Sequence, residues 1–350
     1  MPETPHAAPR PLRPASRPAG RLLPADQADR HALLDPYFRA HGSHCLAYSS
    51  LQDVLEHFLL DGVGYVACLN FRHPLLCRKP RRIVLANPVV AKEDAARLIE
   101  AFLAFDPDPV FVQVDRDFAA ILDAAGFQVN QIGVETDVPL ADFDLTGKGR
   151  AKLRQWRNKT EREGVVAREL PCSAVDPAEV AALSRQWLDR KGGREILFLN
   201  RPFVIADEPD VRRFYAFQDG RLVGVAVFDP FFRDGRVVGY YHNIDRLADG
   251  APHGTGVCIK LAAVEAFRAE GREVLALGLT PLSGIDNDFN ANRFMERILK
   301  IVKRYDFLYP FKGSESHKKK FDGVSRKVYA ASRKSDIRTM LATSKAFGVF

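Results

Sequence analysis

The chain has 350 residues, of which 46% are hydrophobic, and its formal net charge is +7. This length fits one large domain or two domains of ordinary size, and no uninterrupted apolar run approaches the roughly 20 residues that a membrane-spanning helix needs. Five scattered cysteines, none in a CxxC pair, exclude a complete disulfide framework and argue against zinc, so we predict reduced thiols and no metal.

Residues 1–28 are predicted to form a disordered basic tail. The first 24 positions contain seven prolines and four arginines, a composition that disfavours a packed core. They lack the apolar stretch of about 7–15 residues found in a secretory signal, and the prolines disfavour the amphipathic helix of an organelle transit peptide. Together with the reduced cysteines, this predicts a cytoplasmic protein.

Residues 29–145 alternate between strand and helix patterns, which is typical of a mixed α/β domain. A first helix is predicted to end at Gly42, followed by a short strand, "HCLAYSS". Further on, two amphipathic patterns at helical spacing predict the helices "KEDAARLIEAFLAF" and "RDFAAILDAAGF". Runs rich in β-branched and aromatic residues predict four strands, "GYVACLNF", "RRIVLANPVV", "PVFVQV" and "QVNQIGVETDVPL".

Residues 146–164 are predicted to form a basic bridging helix. Residues 148–163 contain seven basic and two acidic side chains, and Arg150, Arg154 and Arg157 flank a narrow apolar stripe at helical spacing. This concentration of charge predicts contact with tRNA or an anionic membrane surface. A solvated helix face explains the same pattern equally well.

Residues 165–334 begin with a strand and a helix whose N-cap is predicted to be Asp176. Three strands follow, joined by Asp219-Gly220 and Asp234-Gly235, and Asp-Gly between such runs is a strong signal for a hairpin turn. The rest reads as a glycine-started helix, the strand "EVLALGL", a long helix around "ANRFMERILKIVKRY" and a last strand, "SRKVYAAS". Residues 335–350 are predicted to be a partly ordered tail.

A three-stranded meander followed by helix, strand and helix is the element order of an N-acetyltransferase-like fold. The first half is compatible with a second, degenerate copy, although the two halves share no visible sequence repeat. We therefore predict an α/β (α+β) protein with two tandem N-acetyltransferase-like domains, at residues 29–145 and 165–334, each with a mixed sheet and flanking helices.

The end of the third meander strand carries the first candidate site, His242, Asn243, Asp245 and Arg246. Because alternate residues of a strand share a face, Asn243 and Asp245 are predicted to point together. A carboxylate beside an arginine can hold an ammonium group or orient a hydroxyl for attack. A surface ion pair at a strand end would leave the same pattern.

Two glycine-containing turns are further candidates for ligand contact. Gly254, Thr255 and Gly256 begin a helix, and the free N–H groups of a helix start can bind an anion. Ser283 lies in the small-residue loop "LGLTPLSG", where small side chains let a ligand or backbone approach closely. An ordinary helix cap and an ordinary tight turn are the alternatives.

Residues 299–327 contain nine basic and three acidic side chains, including Lys318 and Lys320 in "KGSESHKKKF". Lysines aimed at a phosphate or a developing oxyanion would serve binding or catalysis. Lys318 and Lys320 diverge on a helix, so only part of the run can face one site, and a solvated basic face is the alternative. Glu195, just before an apolar run, is a further candidate contact or simply a loop charge.

Several segments, taken in order, resemble the catalytic C-terminal domain of phosphatidylglycerol lysyltransferases, the bacterial multiple peptide resistance factors. The resemblance runs from about His44 to Ser332 and rests on the ordered set "GKGRAKLRQWRNKTEREG", "WLDRKGGREILFLNRPF", "DRLADGAPHGTG", "LALGLTPLSG" and "FKGSESHKKKFDGVSRKVYAA". It implies two tandem acetyltransferase-like folds. It also implies transfer of an amino acid, commonly lysine or alanine, from aminoacyl-tRNA to the hydroxyl of a membrane lipid such as phosphatidylglycerol.

The resemblance also assigns roles to single residues. The family's Asp-x-x-Arg falls on Asn243 and Arg246, and an acid that the family favours falls on Val257. Arg246 and Lys320 are expected to bind phosphate or oxyanion, and Asp245 to act as base or ammonium ligand. The expected substrate contacts are Glu195, Asn243, His242, Ser283 and Lys318.

The same resemblance implies the partners and the setting of the reaction. Aminoacyl-tRNA would be the co-substrate, no cofactor would be needed, and the protein would work at the inner membrane face. The family's multi-pass membrane region has no counterpart in the sequence, which predicts a stand-alone member. Two alternatives stay open: an acyl-CoA-dependent N-acetyltransferase that binds pyrophosphate at Gly254–Gly256, and a non-catalytic basic protein that binds RNA or membranes.

Overall fold

The structure is a computed structural model that describes residues 20–190, 201–286, 288–289, 291–293, 296–297 and 311–348. Within these ranges, thirteen strands form one continuous mixed sheet with helices on its faces. The predicted α/β class is confirmed. None of the helices in these ranges is long and apolar enough to span a bilayer.

The first part of the chain contains three helices and seven strands among its described residues. The helices are α1 (Arg30–His41), α2 (Ala95–Phe105) and α3 (Arg116–Ala124). The strands are β1 (Arg21–Leu23), β2 (Glu56–Leu60), β3 (Gly64–His73), β4 (Cys77–Leu85), β5 (Val89–Val90), β6 (Val110–Val114) and β7 (Gln128–Pro139).

The second part begins with the predicted bridging helix, α4 (Ala151–Arg162). Further helices are α5 (Pro177–Arg190), α6 (Thr255–Ala269), α7 (Phe311–Lys319) and α8 (Ile337–Ala346). Its strands are β8 (Val165–Glu169), β9 (Arg212–Gln218), β10 (Arg221–Arg233), β11 (Arg236–Leu247), β12 (Val274–Pro281) and β13 (Val324–Ser332).

The same element order occurs twice. The antiparallel meander β2–β3–β4 is followed, after the two-residue strand β5, by α2, β6, α3 and β7, and the meander β9–β10–β11 is followed by α6, β12, α7 and β13. In each half the strand after the helix is parallel to the last meander strand, β6 to β4 and β12 to β11. This repeated order is the predicted acetyltransferase-like arrangement.

The closing strands are exchanged between the halves. The order across the middle of the sheet is β4-β6-β13-β7-β12-β11, so β13 pairs with β6 and β7 pairs with β12. Each half is therefore completed by a strand of the other, and separating them would break ladder hydrogen bonds on both sides. The division of the chain into two domains around residues 146–164 therefore stays a prediction from the sequence.

Both predicted hairpins are present. Asp219 and Gly220 have φ of 49° and 78°, and Asp234 and Gly235 have φ of 52° and 74°. Two consecutive positive φ angles are the requirement of a type I′ turn, which Asp-Gly meets at low conformational cost. These turns set the register of β9, β10 and β11, the strands that carry the candidate site.

Three predictions of secondary structure differ from the structure. "HCLAYSS" is a turn followed by a 3-10 helix, Tyr48–Leu51, because the Ser50 hydroxyl donates to the Ala47 carbonyl at 2.6 Å and competes with strand pairing. The predicted C-terminal tail contains α8, whose N-cap Asp336 accepts from the Thr339 amide at 2.7 Å. Within the predicted N-terminal tail, β1 pairs with β2.

Two other predictions fall wholly or largely outside the described residues. The first is the basic tail, most of which is residues 1–19. The second is the long helix predicted around "ANRFMERILKIVKRY", most of which also lies outside the described residues.

Aromatic side chains form the core under the candidate site. Phe214 and Phe228 from the meander pack edge-on against Phe267 of α6, and Tyr240 of β11 stacks on the same ring with centroids 4.2 Å apart. Leu153 and Trp156 of α4 belong to the same buried cluster. This core holds α4 and α6 against one face of the meander, which places both helices beside the end of β11.

Candidate functional site

A cavity opens where two parallel strands separate. Pairing between β11 and β12 ends at Tyr241 and Ala276, after which β11 continues beside β10 and β12 continues beside β7. The wedge between them holds a cavity of about 510 Å3, closed by α4, α6 and α7. Its lining residues are Trp156, Tyr241, His242, Asn243, Asp245, Leu247, His253, Gly254, Gly256, Val257, Lys260, Leu277, Leu279, His317 and Lys318.

A β-bulge sets the orientation of the side chains at the end of β11. Val227 of β10 faces Ile244, and the next residue, Phe228, faces His242, so Asn243 is the extra residue. A bulge breaks the strict alternation of a strand. His242 and Asp245 therefore meet, with Nε2 of His242 3.6 Å from Oδ2 of Asp245. Asn243 and Asp245, which were predicted to point together, both line the cavity, and the amide nitrogen of Asn243 turns towards Asp229 of β10.

Asn243 is held by a buried polar network. Its Nδ2 donates to Oδ2 of Asp229 at 2.6 Å. Asp229 is fully buried and also accepts from Nε and Nη2 of Arg201, whose Nη1 donates to Glu208 at 3.0 Å. Because Asp229 and Arg201 are themselves held by these bonds, the Asn243 side chain has one defined orientation. Its Nδ2 faces Asp229, and its Oδ1 has no hydrogen-bond partner among the described residues.

Asp245 forms an ion pair with a residue that sequence reasoning missed. Nζ of Lys260, on α6, lies 2.8 Å from Oδ2 of Asp245 and also donates to the Gly256 carbonyl at 3.3 Å. A Cβ on Gly256 would stand 3.3 Å from that same carboxylate oxygen, so glycine lets the helix approach the acid. The sequence signal for Lys260 is a single charge inside an otherwise apolar, buried helix stretch.

The charge state of Asp245 follows from two opposing effects. Burial disfavours the carboxylate, but the charge and the hydrogen bond of Lys260, together with the neighbouring His242 and His317, outweigh burial and lower the pKa of Asp245 to about 2. Asp245 is therefore ionised at neutral pH. Its second oxygen, Oδ1, has no hydrogen-bond partner among the described residues.

Two histidines present neutral rings to the cavity. Burial lowers the pKa of His242 far below its ordinary value, and burial together with nearby Lys260 lowers that of His317 to about 3. Within the described ranges, Nε2 of both rings and Oδ1 of Asn243 also lack a hydrogen-bond partner. Buried polar atoms without partners are costly, so this group of unpaired polar atoms indicates a polar ligand site.

Lys318, in the last turn of α7, and Lys320, just after its end, diverge as their spacing predicts. Nζ of Lys318 donates to the carbonyls of Gly278 and Leu279 on β12, at 3.0 and 2.7 Å, and burial lowers the pKa of Lys318 to about 8. Lys320 instead stands over the Trp156 ring, 4.4 Å from its centroid. Lys318 lines the cavity from inside, and Lys320 lies on the ring that forms one of its walls.

Other predicted site residues lie elsewhere. The Arg246 guanidinium stacks on the Trp187 ring at 3.9 Å, away from the cavity lining, because Arg246 alternates with Asp245 along β11. The Thr255 hydroxyl donates to the Pro252 carbonyl at 2.7 Å. Gly254 lines the cavity, whereas buried Ser283 does not, and Glu195 is outside the described residues.

The three predicted arginines of α4 have intramolecular partners. Arg150 donates to the Asp144 carbonyl at 2.8 Å and stacks on Phe143. Arg154 donates to the Gly147 carbonyl at 2.8 Å, and Nε of Arg157 is 3.6 Å from Oε1 of Glu161. All three are half-buried. They lie on the helix that supplies Trp156 to the cavity, so the basic face and the cavity share one element.

Two solved structures are similar to this fold. The structure of L-PGS from Bacillus licheniformis has a TM-score of 0.75 and 22% identity, with 91% of this chain and 96% of that one covered. A C-terminal domain described as that of a lysylphosphatidylglycerol synthetase, from Agrobacterium fabrum, has a TM-score of 0.71 and 20% identity, with coverage of 91% and 95%. At these identities the likeness shows the fold alone.

The sequence comparisons identify the family as well as the fold. A curated phosphatidylglycerol lysyltransferase from Bacillus subtilis (strain 168) is 26% identical over 268 residues, which cover 73% of this chain. This chain spans about 30% of the length of that relative. The family model described as "Phosphatidylglycerol lysyltransferase, C-terminal" matches residues 76–332, well over half of the chain. The chain therefore belongs to the phosphatidylglycerol lysyltransferase C-terminal family.

Proposed function

We propose that this protein transfers an amino acid from aminoacyl-tRNA to a hydroxyl group of an anionic membrane lipid such as phosphatidylglycerol. The observation that carries the proposal is the set of polar groups around one cavity: an ionised acid with a free oxygen, neutral imidazoles and a lysine. An aminoacyl ester is already activated, so the reaction needs no metal or nucleotide, and we propose no cofactor.

The α-ammonium group of the donor would bind to Asp245. Of the two roles predicted for this residue, ammonium ligand suits it better than base, because the adjacent Lys260 ammonium keeps the carboxylate ionised and opposes uptake of a proton. Its Oδ1 is free to accept, while Oδ2 is held by Lys260. Asn243 Oδ1, on the same wall, offers a second acceptor for the ammonium.

The proton transfer would use a neutral imidazole. The lipid hydroxyl attacks the ester carbonyl while Nε2 of His317 or His242 accepts its proton, and that proton passes to the departing ribose oxygen of the tRNA. One ester bond forms and one breaks, so no other reactant is required. The phosphate of a lipid headgroup close to these rings would raise their basicity.

The developing oxyanion would be stabilised by Lys318. Two of the N–H donors on its ammonium group are held by the carbonyls of Gly278 and Leu279, which fixes the group and leaves a third donor for the tetrahedral intermediate. Lys320, on the outer side of Trp156, would hold a phosphate of the lipid or the tRNA. The net charge of +7 favours both anionic partners at a membrane surface.

The direct test is transfer by purified protein. Vesicles that contain phosphatidylglycerol are incubated with the protein and with tRNA charged by a complete mixture of radiolabelled amino acids. We expect label in the organic extract, and we expect ribonuclease to abolish it. Absence of ribonuclease-sensitive transfer to any extractable lipid, with or without phosphatidylglycerol, would overturn the proposal.

Two variants connect the activity with the cavity. Asp245→Asn removes the charge that holds the ammonium, and we expect a loss of transfer of at least about tenfold. Lys319→Met removes a cation from the same helix, but that side chain is 73% exposed and paired with Glu315, so transfer should be unchanged. Coenzyme A binding in place of transfer would favour the acetyltransferase alternative.

A further inference from the structure

Charged groups inside the cavity point to a restriction on the donor. Among the described lining residues, Asp245 is the one acid, while Lys260 and Lys318 are both cations. Of the three lining histidines, His242 and His317 are neutral because burial keeps their pKa values low. The part of the lining that the structure describes therefore carries a net positive charge before any substrate enters.

Lys260 already compensates the charge of Asp245. Its ammonium group is almost fully buried and touches the carboxylate at 2.8 Å. The remaining oxygen of Asp245 can serve one further ammonium, and under the proposed function every donor brings its α-ammonium there. A second ammonium, on the side chain of a lysyl donor, would find two lysines and no other acid in the described lining.

The rest of the lining is suited to an uncharged side chain. Leu247, Val257, Leu277 and Leu279 form apolar parts of the wall, and Val257 lies one helical turn before Lys260 on α6. A cation against such a wall loses hydration without gaining a partner, and like charges a few ångströms apart in a partly buried site repel strongly. A neutral side chain, such as that of alanine, loses no ionic hydration on entering the cavity and is not repelled by the two lysines.

We propose that Lys260 is a specificity-determining residue that makes this cavity select aminoacyl donors with uncharged side chains and reject cationic ones. The proposal rests on the proposed function, since it concerns the donor of that reaction. It assigns to Lys260 an electrostatic role that needs no contact with the side chain of the donor.

The experiment measures binding, so that it does not depend on turnover. The probes are two stable analogues of the aminoacyl end of tRNA, 3′-amino-3′-deoxyadenosine carrying either alanine or lysine through an amide bond. Calorimetry with the wild-type protein is expected to show the alanyl analogue binding at least about tenfold more tightly than the lysyl analogue. Equal affinity, or tighter binding of the lysyl analogue, would overturn the proposal, and this comparison needs no variant.

Three variants then test the residue itself. Lys260→Met removes the charge and keeps much of the length, and the difference between the analogues should shrink at least about threefold. Lys260→Arg keeps the charge and should preserve the preference, as should Lys319→Met outside the cavity. An unchanged preference in folded Lys260→Met would overturn the role of Lys260.

The two proposals fail in different ways. If neither analogue binds to the wild-type protein, the proposed function falls, and the donor restriction falls with it. If both bind with the wrong order of affinity, the proposed function stands and the role of Lys260 is refuted.

Discussion

Lys260 and Asp245 lie 2.8 Å apart but differ in exposure, since the side chain of Lys260 is 3% exposed and that of Asp245 is 31% exposed. The helix hides the ammonium group, and the carboxylate faces the cavity. This arrangement keeps Asp245 ionised inside the protein and leaves one of its oxygens for a ligand. It also makes Lys260 a structural residue, because a buried charge depends on its partner.

Lys260→Met should lower the free energy of unfolding by about 2 kcal/mol at pH 7, because it leaves the partly buried Asp245 without its counter-ion. Urea unfolding of wild type and variant measures the difference. The double variant Lys260→Met/Asp245→Asn removes the orphaned charge and should recover part of the loss. If the losses of unfolding free energy caused by the two substitutions simply added, Lys260 and Asp245 would not be energetically coupled, and the prediction would be wrong.

The same pair predicts a pH dependence. The pKa of Asp245 in the folded protein, about 2, lies below its ordinary value of 3.8, so its stabilising contribution is present above about pH 4 and is lost as the pH falls towards 2. The difference in unfolding free energy between wild type and Lys260→Met should therefore narrow below pH 4. A difference that stays constant over this range would show that the pair is not its source.

Asn243→Asp should destabilise the protein at neutral pH. Asn243 Nδ2 donates to Asp229 at 2.6 Å, and a carboxylate at this position would replace a hydrogen bond with repulsion between like charges. We expect a loss of about 1–3 kcal/mol at pH 8 and a smaller loss at pH 5.5, where the introduced carboxylate can more readily take up a proton. Urea unfolding at the two pH values checks this.

A partner exchange serves as the control for that variant. Asn243→Asp/Asp229→Asn puts the amide on β10 and the carboxylate on β11, so that the hydrogen bond can form in the opposite direction. Partial recovery of stability is expected, because Arg201 would keep a nearby acid. A double variant no more stable than Asn243→Asp alone would argue against the hydrogen bond as the cause.

Gly254→Ala should cost more stability than Gly250→Ala. Both glycines have positive φ, 109° and 77°, so both substitutions carry a backbone cost of about 1 kcal/mol. A Cβ at position 254 would also stand 3.0 Å from Cβ of Trp156, whereas nothing lies within 4 Å of one at position 250. We expect about 1–2 kcal/mol of additional loss at position 254.

Thermal unfolding and tryptophan fluorescence would separate these two glycine variants. Only Gly254→Ala should displace Trp156 and weaken binding of the alanyl analogue, since Trp156 forms a wall of the cavity. Equal losses of stability at the two positions would contradict the close contact between the helix start and Trp156.

Glu135→Gln should stabilise the protein at alkaline pH. Glu135 on β7 accepts from Nε2 of Gln113 at 2.7 Å, and burial raises its pKa to about 7. The contribution of such a group to stability is fully present below its ordinary pKa of 4.5 and is lost as the pH rises through 7. The variant should be more stable than wild type by about 1–2 kcal/mol at pH 8, after allowance for partial exposure.

Urea unfolding from pH 4.5 to pH 8 tests the Glu135 variant. The two proteins should have similar stability at pH 4.5, where Glu135 holds its proton, and should diverge above pH 6. Glu93→Gln, at an exposed acid, provides the matched control and should show no divergence. A Glu135→Gln variant that is less stable at every pH would show that a lost hydrogen bond dominates.

Local patterns in the sequence predicted most of the strands and helices. Asp219-Gly220 and Asp234-Gly235 specified type I′ turns because their φ requirements are local, and the helical spacing of apolar residues specified α2 and α3. The strand predicted at "HCLAYSS" failed because hydrogen bonds between neighbouring residues competed with pairing. The helix α8 was missed because a short helix after a basic loop has a weak pattern.

Site prediction was limited by long-range geometry. Of the predicted contacts, His242, Asn243, Asp245, Gly254, Gly256 and Lys318 line one cavity. Arg246 does not, although it directly follows Asp245, because strand alternation turns it to Trp187. Lys260 was overlooked because its role depends on α6 crossing the end of β11, which no spacing within the helix reveals.

The sequence by itself determined the α/β class, the hairpins and the order of elements, since turn chemistry and hydrophobic periodicity act between neighbouring residues. Only the tertiary structure decided how the closing strands are exchanged, where β11 and β12 separate, and which cation meets Asp245. Those outcomes depend on residues far apart in the chain, and a single extra residue at the Asn243 bulge brings His242 and Asp245 together.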